Sequence, residues 1–458
     1  MRNNAPMTSP DPLCVAVIGS GPAGIYTADA LTRQDREPVR VDVLDRLPTP
    51  YGLVRYGVAP DHENIKSIAG TLRQVLERPG VRFLGGVEFG RHIGRTDLAR
   101  CYDAVVYATG ASVDRRLGIP GEDLPGSVAA TDFVNWYCGH PDSEVERFLL
   151  DAEEVAVVGA GNVALDVVRI LAKTADELRA TDIPQAVLRV LADSKVRRVH
   201  LLARRGPIHA RFTAKELRDL GRLASADVAV RPEEVDVDPN GEELLRAARA
   251  ARTNLKILGE WAARAPQGRD RRIDVRFWIR PAALLGADRV TGLRVERTAL
   301  DADGGLVATG TEEVLDVGMV LRSIGYASVP LPGVPFDEGA RTVPNSEGRV
   351  LDADGSVRAG DYVAGWLKRG PTGVIGTNKS DAAATVRGLL DDAPALRAAR
   401  AGAPVPVESL LAESGVEVAE YEDWLAIDAA EADLARSLDR GARVKLGGWD
   451  ALNAALRR

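Results

Sequence analysis

Twice in this chain a short run of apolar, β-branched residues stops at a glycine turn and resumes as a helical pattern. Val15-Ala16-Val17-Ile18 leads into Gly19-Ser20-Gly21-Pro22-Ala23-Gly24, and Val155-Ala156-Val157-Val158 leads into Gly159-Ala160-Gly161-Asn162-Val163-Ala164. Apolar runs of that length bounded by glycine read as parallel strands buried on both faces. The glycine spacing lets the backbone turn tightly, approach a pyrophosphate and pack helix on strand. The anion then rests on a helix N-terminus, where N–H groups and the helix dipole favour negative charge. The pattern predicts an α/β fold with two Rossmann-like dinucleotide-binding units.

The two units carry opposite charge at the end of their second strand. The strand 39–44 ends at Asp45, whose carboxylate can accept both ribose hydroxyls of an adenosine and repels a 2′-phosphate. FAD or NAD therefore suits the first unit. In the second unit Ala164 takes the place of the third glycine, and the strand 199–202 runs into Ala203-Arg204-Arg205. Guanidinium forks match phosphate geometry and stay charged, so this pair reads as a clamp that selects NADP over NAD. From Gly161 to Arg204 is longer than the usual ~20 residues, which predicts an extended helix and loop over 173–196. One ribose-diol site and one 2′-phosphate site assign FAD to the first unit and NADP(H) to the second.

A chain of 458 residues has room for two or three domains. Pro- and Gly-rich crossovers follow Ala108-Thr109-Gly110 and surround Ser323-Ile324-Gly325-Tyr326, and strand-like sequence resumes at Tyr362-Val363-Ala364. These predict an NADP-binding domain over 114–324 inserted into an FAD-binding domain made of 1–113 and 325–458. The helical, acidic region after about Pro394 offers no readable chemistry. With 59 basic against 66 acidic residues the net charge is −7, and the absence of a basic tail argues against nucleic acid. The most apolar segment, 155–172, is broken by Asn162, Asp166 and Arg169, which predicts no membrane span. The segment 1–12 carries no targeting pattern, and a cytoplasmic protein is expected. Cys14, Cys101 and Cys138 form no CxxC pair, iron–sulfur spacing or disulfide framework; they are expected to be small buried apolar residues, and no metal site is expected.

Longer strings identify a family. Tyr51-Gly52-Leu53-Val54-Arg55-Tyr56-Gly57-Val58-Ala59-Pro60-Asp61-His62 resembles the flavin-covering loop of the adrenodoxin-reductase-type NADPH–ferredoxin reductases. Asn162-Val163-Ala164-Leu165-Asp166 and Ala203-Arg204-Arg205-Gly206-Pro207 are similar to that family's NADP segments. The string from Ala364-Gly365-Trp366 through Gly370-Pro371-Thr372-Gly373-Val374-Ile375-Gly376-Thr377-Asn378-Lys379 resembles its flavin-closing loop. The resemblance implies an oxidoreductase that passes a hydride from NADPH to N5 of FAD and then single electrons to a separate ferredoxin. It implies FAD contacts at Gly21, Ala23, Asp45, Gly52, Leu53, Val87, Trp366, Gly373, Val374 and Ile375, beside the motif residues Gly19 and Gly24. It implies NADP contacts at Asn162, Val163, Arg204, Arg205, Glu216 and Gly373, beside Gly159 and Gly161. His62 and Glu216 are expected to meet near the nicotinamide as catalytic residues that act by positioning and electrostatics. A helix over 377–386 would aim N–H groups at the flavin.

An acidic ferredoxin needs a basic face. The stretch 246–280 holds ten basic against three acidic residues. Arg246, Arg249, Arg252 and Lys256 recur every three or four residues, which predicts one helix face that steers an acidic partner. The alternatives are an NADPH-dependent quinone reductase, a monooxygenase-type flavoprotein, or a non-catalytic sensor of NADPH and FAD.

Overall fold

The computed structural model describes residues 11–236, 241–400 and 402–456. Most of the segment 1–12, expected to lack a targeting pattern, lies outside them. Two parallel sheets dominate. The first has seven strands in the spatial order Asn345–Ser346, Arg349–Leu351, Val357–Val363, Ala104–Tyr107, Leu13–Ile18, Val39–Leu44 and Val81–Leu84. It is parallel except where Asn345–Ser346 and Arg349–Leu351 add an antiparallel edge. The second has six parallel strands in the order Ser127–Ala129, Met319–Arg322, Glu154–Val158, Arg198–Leu202, Arg271–Arg276 and Ala226–Val230.

The chain passes between the sheets at two places that lie side by side, because Val113–Asp114 pairs antiparallel with Tyr326–Ala327. The strand before each glycine turn is a buried run, over 13–18 in one sheet and 155–158 in the other, as strands covered by helices on both faces must be. The three cysteines are free and buried.

Three elements differ from expectation. Residues 173–196 form two short helices, Ala175–Leu178 and Gln185–Ala192, joined by loops, instead of one extended helix and loop. Thr174 caps the first through a capping box with Glu177, and Pro184 opens the second, so the local chemistry breaks the segment. The helix expected over 377–386 extends from Thr377 to Ala399, through Pro394. Finally, Ile279–Leu285, Gly292–Leu300 and Leu306–Leu315 make an antiparallel three-stranded sheet. Its Ile279, Leu284, Leu293 and Val295 pack on Ala156, Val158, Leu202 and Val320 of the second parallel sheet. No helix among the described residues is long and apolar enough to cross a membrane.

Candidate active site

The two glycine turns are built alike. Gly19 N–H donates to the carbonyl of Leu44 at 2.7 Å, and Gly159 N–H donates to that of Leu202 at 2.9 Å. Each bond draws the end of the following strand against the turn, so Asp45 and the Ala203-Arg204 step occupy equivalent places. Each turn opens a helix, Pro22–Arg33 or Asn162–Ala172, at an N-cap glycine, Gly21 or Gly161, that has no side-chain cap. Donor N–H groups are thereby left at the turn. Gly24 and Ala164 sit within those helices against the strands, as the third motif position requires.

Asp45 does more than the sequence implied. Its Oδ2 accepts from Ser20 N–H at 2.7 Å and Ser20 Oγ at 2.6 Å, and its Oδ1 accepts from Leu47 N–H at 3.0 Å. A carboxylate offers about four lone-pair positions, so roughly one remains for a ribose hydroxyl instead of the two expected. Val87 N–H is taken by the Asp45 carbonyl at 2.8 Å and its side chain is buried, so it offers a ligand only backbone. Gly52 has φ +48°, and a Cβ there would stand 2.9 Å from the Gly21 Cα. The two glycines thus bring the turn and the segment carrying Leu53 into backbone contact. Ala23 faces Gly365, at the start of the closing loop.

That loop lies open. Gly373 and Val374 are exposed, and Trp366 and Ile375 are half-buried. The Trp366 ring lies 5.5 Å from Tyr326, and its Nε1 donates to Thr372 O at 3.2 Å. The N–H groups of Thr377, Asn378 and Lys379 turn back onto the carbonyls of Val374, Ile375 and Gly376. The first donors of this helix are therefore already used, contrary to the expectation that they point at a flavin. The cradle of small residues, the uncapped turn and a carboxylate with spare acceptor capacity fit a flavin dinucleotide.

At the second turn Asn162 Oδ1 accepts from Thr213 N–H at 2.9 Å, and Val163 packs on the core margin. Thr213 Oγ1 caps the helix Ala214–Leu220 by accepting from Glu216 N–H at 3.3 Å. Arg204 is exposed and Arg205 half-buried, and among the described residues neither has a carboxylate partner. Two uncompensated guanidiniums at a strand end are suited to a phosphate ligand.

His62 and Glu216 meet as expected, within a larger cluster. His62 Nε2 lies 2.8 Å from Asp166 Oδ1, 3.0 Å from Glu216 Oε2 and 2.8 Å from Arg169 Nη2. Arg169 is held by Asp61 at 2.7 and 2.9 Å and by Asp166 at 2.8 Å, and Lys173 also reaches Asp61 at 2.7 Å. Burial opposes charge on His62, but the hydrogen bonds to Asp166 and Glu216 outweigh it and push it up to about 9. With the ring protonated, Nε2 shares its hydrogen between Asp166 and Glu216 and has no lone pair to accept from Arg169, whose guanidinium is held by Asp61 and Asp166 instead. Burial likewise disfavours the Asp61 and Glu216 anions, yet Arg169 and Lys173 hold Asp61, and His62 holds Glu216, below the ordinary carboxylate range. His62, Asp166 and Glu216 could together ligate a cation, but Arg169 already supplies positive charge to both acids. The cluster joins the loop after Gly57 to two helices of the second unit. Arg169, Asp61 and Lys173 escaped sequence reading because nothing but the fold brings 61 beside 169.

The C-terminal region, silent in sequence, fastens the same loop. Arg55 and Glu431 form a bidentate pair at 2.5 and 3.1 Å with both side chains buried. Trp424 lies under the Arg55 guanidinium at 4.9 Å and edge-on to Tyr51. Lys445 donates to Arg55 O, Asp182 accepts from Lys66 at 2.5 Å, and Trp449 Nε1 donates to Asp142 at 2.8 Å.

The predicted basic face is divided. Arg246 ends one helix, Gly241–Ala247, and Arg249, Arg252 and Lys256 belong to another, Arg249–Ala262, after a break at extended Ala248. All four are exposed. The Arg252 guanidinium bridges the break by donating to the Leu245 and Arg246 carbonyls. The basic residues further on do not join them: Arg271–Arg276 is a strand, and Arg276 is buried against Glu234 at 2.9 Å and Glu313 at 3.0 Å.

Residues 14–254 match the pyridine nucleotide-disulphide oxidoreductase family. The chain is 44% identical over 386 residues to the NADPH-ferredoxin reductase FprA of Mycobacterium leprae, covering 82% of this chain and 83% of that one. It is 39% identical over 463 residues to the mitochondrial NADPH:adrenodoxin oxidoreductase of Arabidopsis thaliana, covering 97% and 95%. The solved structure of Mycobacterium tuberculosis FprA in complex with NADPH superimposes with a TM-score of 0.91 at 40% identity, over 98% of this chain and 99% of that chain.

Proposed function

The chain belongs to the pyridine nucleotide-disulphide oxidoreductase family and, within it, to the NADPH–ferredoxin reductases, and from that premise we propose which residues serve its electron transfer from NADPH through FAD to ferredoxin. The observation that carries the assignment is the opposite chemistry of two like-built turns, Asp45 at one and Arg204 with Arg205 at the other. FAD, when bound, converts the two-electron hydride of NADPH into single electrons that an iron–sulfur protein can accept.

The chain's own residues bind, orient and insulate. Gly19, Gly21, Ala23, Gly24, Asp45, Gly52, Leu53 and the backbone of Val87 hold the FAD dinucleotide, and Trp366, Gly373, Val374 and Ile375 close over its ring. Gly159, Gly161, Asn162 and Val163 hold the NADP pyrophosphate, and Arg204 and Arg205 take its 2′-phosphate. The inserted NADP domain spans 114–324, and the FAD domain is made of 1–113 and 325–458. Hydride transfer requires two rings held about 3–3.5 Å apart and aligned, and no proton need move for it. His62 therefore keeps its Nε2 hydrogen within the cluster of Asp166 and Glu216, locking the loop that bears it to the helices of the second unit.

The ferredoxin is a separate, acidic protein that docks on the exposed face made by Arg246, Arg249, Arg252 and Lys256. A cytoplasmic setting without nucleic-acid partners accords with the acidic balance of the chain. The test is NADPH-dependent cytochrome c reduction by the FAD-loaded protein with and without a bacterial ferredoxin, repeated with NADH. A large ferredoxin-dependent rise with NADPH strongly preferred is expected. Rapid reduction of bound FAD by NADPH with no rise across several ferredoxins would move the acceptor to a quinone or oxygen.

A further inference from the structure

The antiparallel sheet of Ile279–Leu285, Gly292–Leu300 and Leu306–Leu315 belongs to neither glycine turn, yet the turn before its first strand reaches the Arg204-Arg205 step. Three successive carbonyls of that region are held from this sheet and the turn. Ile279 N–H donates to Ala203 O at 3.1 Å, Thr298 Oγ1 donates to Arg204 O at 2.7 Å, and Trp278 N–H donates to Arg205 O at 3.5 Å. Thr298 is buried and its own N–H donates to Trp278 O at 2.9 Å, so the group that holds Arg204 also holds the turn.

Trp278 is an unusual residue to find there. Its φ is +58°, a conformation that a bulky side chain adopts only when its surroundings require it. Its indole lies so close to Gly206, the residue after the arginine pair, that a Cβ there would stand 2.3 Å from the ring. His209 meets the indole edge-on at 6.3 Å. The indole thus presses on the backbone just after the two arginines, while Thr298 and Ile279 hold the arginine step itself. Neither guanidinium has a carboxylate among the described residues to orient it, so the contacts that hold this step fall on its backbone.

We propose that Trp278 and Thr298 are positioning residues for nucleotide selectivity: they fix the Arg204-Arg205-Gly206 backbone so that both guanidiniums meet a 2′-phosphorylated adenosine. The proposal rests on the reading of Arg204 and Arg205 as the 2′-phosphate site, and it gives the antiparallel sheet a role in choosing the coenzyme.

The test compares the FAD-loaded wild type with Thr298→Val, Thr298→Ser and Trp278→Gly. Binding of 2′,5′-ADP and of 5′-ADP is measured by calorimetry, and KM and kcat are measured with NADPH and NADH. Thr298→Val and Trp278→Gly are each expected to weaken 2′,5′-ADP about tenfold, the scale of one positioned polar contact to a charged group. KM for NADPH should rise in step, while 5′-ADP binding, kcat with NADPH and kcat/KM with NADH stay within about twofold. Thr298→Ser retains the hydroxyl and should keep the wild-type preference. Should wild type prefer 2′,5′-ADP strongly while both disruptive variants keep that preference, the positioning role is overturned and the arginine clamp stands. Equal weakening of 2′,5′-ADP and 5′-ADP would overturn it too, because a merely structural defect spares no ligand. If wild type itself fails to distinguish the two ligands, the 2′-phosphate reading falls and takes this role with it.

Discussion

Replacing Arg204 by alanine isolates the 2′-phosphate interaction, because the structure gives that guanidinium no internal work. It is exposed and has no carboxylate partner among the described residues, so its loss breaks no ion pair and should leave the folding midpoint unchanged. A charge-assisted hydrogen bond contributes about 1.5–3 kcal/mol, and exposure favours the lower end through solvent screening. About 1.5–2 kcal/mol corresponds to a rise of roughly 10- to 30-fold in KM for NADPH. Arg205 is half-buried on the same step, and in the proposed clamp it takes the same phosphate. The double variant should therefore lose more than either single one, and less than the sum if one bidentate phosphate is shared. NADH lacks the phosphate, so its kcat/KM should stay within about twofold. The assay is steady-state ferricyanide reduction with each coenzyme, which bypasses ferredoxin. Parallel losses with NADPH and NADH, or a KM for NADPH that does not move, would refute the assignment.

Other parts of the structure carry three further expected outcomes. Glu431→Ala leaves the buried Arg55 guanidinium without its carboxylate and should destabilise the protein by about 3–5 kcal/mol in denaturant unfolding; the double variant Arg55→Met with Glu431→Leu should cost much less, and an equal cost would show that packing and not charge governs the site. His62 titrates at about 9 in the folded protein against 6.5 unfolded, so its contribution is complete below about pH 6.5 and is lost as pH rises through 9; between pH 7 and 10 wild type should lose more stability than His62→Gln, and identical losses would contradict the cluster's charge state. Charge reversal at Arg249 and Lys256 should raise KM for ferredoxin at least tenfold and leave NADPH–ferricyanide turnover nearly intact, whereas equal losses in both assays would remove the docking face.

Legibility in the sequence tracked the range of the interactions. The two strand–glycine–helix units were readable because each is local: six residues of turn chemistry and a strand end determine where Asp45 and Arg204 stand. His62 and Glu216 could be paired only through the family resemblance, and the rest of their cluster stayed hidden. Asp61, Arg169 and Lys173 look like ordinary surface charges until the fold buries them together. The basic stretch 246–280 was only partly legible for the same reason. The spacing of Arg246, Arg249, Arg252 and Lys256 suits one helix face, but a break at Ala248 divides them between two helices, and further on Arg271–Arg276 is a strand whose Arg276 belongs to Glu234 and Glu313. The antiparallel sheet was missed because alternating strands between two domain crossovers carry no signature motif. The C-terminal region conveyed nothing because its contribution is made by single residues, Glu431 and Lys445, reaching partners nearly 400 positions away.

The central claim is that electrons taken from NADPH leave this protein to a ferredoxin. It is tested most directly by reducing the FAD-loaded protein with one equivalent of NADPH in the absence of oxygen, then mixing it rapidly with an oxidised, acidic ferredoxin while monitoring flavin absorbance. Flavin reoxidation should accelerate with ferredoxin concentration, saturate, and slow as salt screens the docking charges. A flavin that reoxidises at the same rate with ferredoxin as with buffer alone would contradict it.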